Sequence, residues 1–220
     1  MISRRPSASD DGRRQSLRRA KRTAAALLGV FVLGAWAGHA QESPDNWPCI
    51  QRYVPEIAAG VVWSGPPLDE AKDAPPPPPG LVSALASRDA PLDAAMADAA
   101  AWAKALPAEA QDPALTGLFA GVLEQINGQR ARVLAGILNY ADQQKALAER
   151  IAEQGRALEG YRLDVAASEQ AEMEAVKAQR AWDMRLFDDR RRMLPQVCDQ
   201  AVLLEQRAFA VGRALQAELG

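Results

Sequence analysis

LTGLFAGVLEQINGQRARVLAGILNYADQQKALAERIAEQGRALEGYRLDV, residues 115–165, carries the pattern on which the fold turns. Leu115, Phe119, Val122, Ile126, Gln129 and Val133 follow steps of four and three. After one extra step of four come Ile137, Tyr140, Gln144, Leu147, Ile151, Gln154, Leu158, Tyr161 and Val165. Twelve of these fifteen positions are apolar, a heptad-like stripe that argues for helix with one continuous seam. Met173, Val176, Arg180, Asp183, Phe187, Arg190, Leu194, Val197, Ala201, Leu204, Ala208, Val211 and Leu215 continue the spacing with a more polar seam.

The stripe changes width along its length. Around residues 114–141 Leu118, Leu123, Leu134 and Leu138 broaden it, whereas over 142–165 little remains beyond the seam. A broad stripe needs neighbours on more than one side; a narrow one needs a single partner. The expectation is therefore an all-α fold: a helical bundle, a long antiparallel coiled-coil-like hairpin projecting from it, and a non-helical N-terminal arm. A turn near Ala167 and Ser168 gives arms of nearly equal length, each about 80 Å at 1.5 Å per residue. Gly155 and Gly160 are competing turn sites, and a continuous helix through all of them is a third arrangement. Pro195, in phase with the stripe on both sides, should kink or restart the last helix rather than end it.

Upstream of the seam, Pro91 suits the start of a helix running to about Leu106 and stopping at Pro107. Asp112 and Pro113 then read as a cap and first-turn proline that restart the chain. Residues 41–80 are a proline-rich and aromatic arm and linker, and residues 81–220 the helical domain. The prolines of 41–68 oppose a long helix. Residues 57–63 could be a short extended stretch, but one strand without a partner makes no sheet. Five consecutive prolines at 75–79 form a stiff polyproline II spacer of about 15 Å.

Residues 1–40 hold eight Arg and Lys against two Asp, so residues 41–220 carry a balance of −8. Arg13, Arg14, Arg18, Arg19, Lys21 and Arg22 precede an apolar run at 24–37 that exits through Gly38, His39 and Ala40. A basic start, a short apolar stretch and a small-residue exit describe a secretory signal peptide over 1–40. The alternative is an uncleaved anchor, since 18 residues from 23 to 40 approach the minimum span. The expected location is periplasmic or secreted, with membrane attachment only through a leader that escapes cleavage.

Cys49 and Cys198 are the only cysteines. An even count in an exported chain reads as a disulfide that fastens the arm to the far C-terminal helix; the alternative is two free buried thiols. They form no Cys-x-x-Cys pair, and they are too few for a zinc site. His39 is the only histidine and lies in the leader, which removes Ser-His-Asp, Cys-His and di-iron Glu-x-x-His constellations from the mature chain. There is no phosphate-binding Gly-rich loop and no nucleophile elbow. No catalytic residue, metal site or cofactor is nominated. Glu169, Glu172 and Glu174 read as first-turn carboxylates complementing a helix dipole, and residues 188–192 as a solvated face with local ion pairs. The acidic mature chain argues against nucleic acid. Trp102 and Trp182 read as core or groove-filling residues. Trp47, Tyr53 and Trp63 either cover the bundle, the favoured reading, or offer an aromatic partner-contact surface.

What these exclusions leave is an expectation of a non-enzymatic interaction or scaffold protein of the bacterial cell envelope, with envelope protein partners. The seam could pair within one chain or between two, as in a homodimer. The rival is an envelope polysaccharide hydrolase using a carboxylate general acid, a chemistry that needs no histidine.

Overall fold

The computed structural model describes residues 43–161 and 167–220. The leader expected over 1–40 lies outside the described residues, as does Val165. Among the described residues there is no strand. The elements are α1 (Ala59–Val62), a 3-10 turn (Leu68–Ala71), α2 (Leu81–Ala86), α3 (Leu92–Lys104), α4 (Ala108–Glu159) and α5 (Ala167–Gln216). None of the described helices is long and apolar enough to cross a membrane.

The two long helices are antiparallel neighbours. Tyr140, Gln144 and Arg150, ascending α4, bond Arg190, Phe187 and Asp183, descending α5. At 1.5 Å per residue they are about 78 and 75 Å long. No described seam position on either helix is exposed, so the stripe read from the sequence is the interface, and it is satisfied within one chain. α4 stops at Glu159 with Gly160 as its C-cap, and α5 is already helical at Ala167. The reversal therefore falls between Gly160 and Ala167; Ala167 and Ser168 open α5, and a single uninterrupted helix is not formed. Gly155 stays inside α4, facing the Arg180 side chain of α5.

Two boundaries differ from the sequence reading. α4 begins at Ala108, not at Pro113, launched by Pro107 in an extended conformation (φ −54°, ψ 145°). Pro113 lies within its second turn, where the missing N–H costs only the bond to the carbonyl of exposed Glu109. Residues 57–63 are not extended either: α1 forms one helical turn there, and the 3-10 turn follows. The arm is thus irregular backbone with two single turns of helix. The proline run ends in a turn in which Leu81 N–H reaches the Pro78 carbonyl, and Gly80 takes the left-handed conformation (φ +84°) that starts α2. Pro195 is accommodated within α5 without ending it.

The body's core gathers Leu115, Leu118, Phe119, Val122 and Ile126 of α4 against Leu204, Ala208, Val211 and Leu215 of α5. Leu81 and Leu85 of α2 close one side, and Ala95, Ala99 and Ala103 of α3 another. Those three alanines fall four apart, a smooth face on which backbones approach closely. Burying each large apolar side chain stabilises by about 1.5–3 kcal/mol before entropy is charged. Ile57, Val62 and Trp63 of the arm enter the same core, so the arm is part of the body.

Candidate functional site

Several attachments hold the arm across both long helices. Cys49 and Cys198 form a disulfide with Cα atoms 5.8 Å apart. Beside it Trp47 and Tyr53 meet edge to face, ring centroids 5.0 Å apart, over the small cluster of Leu134, Ile137 and Ala201. The Arg130 guanidinium, buried in α4, donates to the Val54 carbonyl and faces Glu205 of α5 at 4.0 Å; burial lowers its pKa, and Glu205 opposes that shift. Asn127 bonds the backbone of Ile57, and Gln216 near the end of α5 accepts from both the backbone and hydroxyl of Ser64. Trp63 lies stacked on Phe119, centroids 4.5 Å apart and planes 13° from parallel. Arg207 of α5 plays the same part for α2, donating to the Leu85 and Ala84 carbonyls at 2.6 and 3.0 Å and so capping its C-terminus.

These placements assign the three aromatic residues. Trp63 is interior. Trp47 and Tyr53 are half-buried covers, with Trp47 Nε1 spent on the Gln51 carbonyl at 2.7 Å. Trp102 packs against the main core from its edge. Trp182 corrects the groove-filling expectation: it is 60% exposed, because the adjacent Asp183 takes the seam position and turns the indole outward, under the Arg185 guanidinium at 5.7 Å.

Beyond the arm the hairpin depends on its own seam, which is interrupted by one polar layer. Asp183 is 1% exposed. Its two oxygens accept from Arg150 Nε and NH2 at 2.8 Å each, from Gln154 at 2.8 Å and from Gln179 at 3.1 Å. The Arg150 bonds, opposed by burial and aided by the two glutamines, hold its pKa down to about 2. A fork-to-fork pair of this kind fixes geometry more than it adds stability. Gln154 Oε1 and Arg180 Nε are buried close by without partners, so the layer is incompletely satisfied. Asp183 is the buried carboxylate among the described residues. It is held ionised, the reverse of what a general acid requires. Among the described residues no group of three or more His, Cys, Asp or Glu side chains could hold a metal ion. Glu174 is engaged with Lys177 at 2.9 Å and Asp189 with Arg192, as local ion pairs on a solvated face.

Where arm and hairpin meet, an open recess of about 330 Å3 lies between α4 and α5. Tyr140, Gln144 and Ala148 line one side, Phe187 and Leu194 the other, and Pro48 of the arm closes an end. The wall's polar groups are turned inward: the Tyr140 hydroxyl donates to the Arg190 carbonyl at 2.7 Å and the Gln144 amide to the Phe187 carbonyl at 3.2 Å. No signal in the sequence pointed to this recess, because it needs Pro48 brought beside residues nearly 100 and 140 positions away.

Comparison with protein-family models, curated proteins and solved structures finds no match for this chain.

Proposed function

We propose that this chain is an exported, non-enzymatic interaction protein of the bacterial cell envelope, acting as a scaffold or adaptor through its helical hairpin. The observation that carries the reading is the isolation of the hairpin's outer half. From residue 149 to 159 on α4 and from 169 to 186 on α5, only seam residues and their immediate flanks are sheltered, and every other residue is exposed. That segment adds nothing to the two core clusters, yet it extends the molecule by about 15 Å on α4. Its seam is held by a costly polar layer and its outer face carries an exposed Trp182 and Met184. Aromatic and methionine side chains are enriched where proteins meet. Export is supported by the basic and apolar leader together with the Cys49–Cys198 bridge.

The test is to replace residues 149–184 with a short Gly-Ser turn and place a photo-crosslinking residue at Trp182 of the full chain. Envelope proteins crosslinked through position 182, and lost from co-purification with the shortened hairpin, are the expected result. Unchanged co-purification with the shortened chain sinks the proposal.

A further inference from the structure

The recess at the root of the hairpin has one chemical feature that its apolar walls do not explain. Lys145 on α4 and Arg191 on α5 stand on its two banks, both exposed. Among the described residues neither closes an ion pair. Asp142, one turn before Lys145, is already engaged by the Asn46 amide at 2.7 Å. Glu149 and Asp188 lie one turn from the two cations without pairing with them. The site thus offers apolar walls with a free cation on either side, and the complementary group is apolar at its centre and anionic at its edges.

Size and openness choose between the carriers of that chemistry. Sites that enclose a whole small molecule run from about 300 to 1,000 Å3 and bury most of its surface. This recess is at the bottom of that range and open along one side, which suits one side chain delivered by a larger partner. We propose that it seats a single large apolar side chain of a partner peptide whose neighbouring residues are acidic, the carboxylates lying against Lys145 and Arg191. This rests on the adaptor reading and gives it a partner chemistry. Pro48 supplies a rigid end wall because the next residue is bonded covalently to α5.

The experiment selects a randomised peptide library against the immobilised full chain. Recovered peptides should share a large apolar residue flanked by Asp or Glu. The double variant Lys145→Glu, Arg191→Glu should cut their retention by more than about tenfold, which is 1.4 kcal/mol or more. Ala148→Trp, which fills the recess and leaves both cations, should do the same; the milder pair Lys145→Ala, Arg191→Ala serves if either variant melts early. Peptides without acids, or peptides retained equally by the charge-reversed and filled variants, overturn the proposal. So does dodecanoate binding with no peptide recovered, which would make the occupant a free amphiphile. If no peptide is recovered while the shortened hairpin still loses its partners, the recess alone is wrong. If peptides are recovered as described while the shortened hairpin keeps every partner, the distal hairpin reading alone is wrong.

Discussion

The side-chain amide of Asn127 pairs with both backbone polar groups of Ile57: its oxygen accepts the Ile57 N–H at 3.0 Å and its nitrogen donates to the Ile57 carbonyl at 3.1 Å. Ile57 is buried within irregular backbone, so these are the bonds that a neighbouring strand would otherwise supply. Asn127→Ala leaves a donor and an acceptor unsatisfied at once. The expected loss is about 1–3 kcal/mol, reduced by only about half a kcal/mol through the better helix propensity of alanine. It should appear as a lower urea midpoint with an unchanged slope; an unshifted midpoint would mean that Ile57 finds other partners.

Gly212 in α5 lies directly beneath the Val62 carbonyl, and a β-carbon there would overlap that oxygen and stand 3.2 Å from the Phe119 ring. Neither neighbour can retreat, since one is backbone and the other is stacked on Trp63. Gly212→Ala should destabilise by about 1–3 kcal/mol through overpacking, despite the gain in helix propensity. Gly128 and Gly136, which face open space in α4, are the controls: alanine at either should be neutral or stabilising by up to about 1 kcal/mol.

Removing the bridge as Cys49→Ser, Cys198→Ser opens a loop with a sequence separation of 149. Chain entropy sets an upper figure of about 5 kcal/mol, and a measured loss of about 2–5 kcal/mol is expected. The damage should be local in the native state. Hydrogen exchange should accelerate around Trp47, while the amide of Ile57 stays protected by Asn127. Equal acceleration at both would show that the covalent link, not the side-chain clasps, holds the whole arm.

The Asp183 layer makes hairpin stability depend on acid. Its carboxyl is held down to about 2 against an ordinary 3.8, so the native state binds fewer protons than the unfolded one between those values. Its contribution is fully present above the unfolded pKa and is lost as pH falls through the folded one. Melting of wild type should therefore fall between about pH 4 and 2 more steeply than that of Asp183→Asn. Above that window the asparagine variant should be the less stable, because Arg150 loses its partner. Parallel melting curves for the two proteins would remove Asp183 as the source.

The long seam was legible because its physics is periodic. A residue placed every three or four positions from Leu115 to Leu158 must share a face, and every one of those positions is sheltered. The disulfide was legible by elimination, from two cysteines and the leader expected over 1–40. The clasps were not. Asn127, Arg130, Arg207 and Gln216 are polar residues at or beside helical faces, where composition alone suggests solvent; their partners are carbonyls and amides of an irregular arm that no pattern locates. Trp182 was misread although the spacing already puts Asp183 in the seam, because a large apolar residue one position away reads as buried too. Pro113 misled for a related reason: it marks where a helix tolerates a missing donor, and Glu109 shows that the tolerance extends past the first turn. The recess escaped altogether, as a property of three segments meeting.

The attachment of Ser64 to Gln216, and of Cys49 to Cys198, sets an order on how this molecule comes into being. A ribosome makes Ile57 and Trp63 early, but the surface that finally shelters them includes residues from the last two turns of α5. Through nearly the whole of its synthesis the nascent chain must carry sticky, unfinished material at its leading end. Burial of the arm therefore waits for the end of α5, and closure of the bridge waits for Cys198.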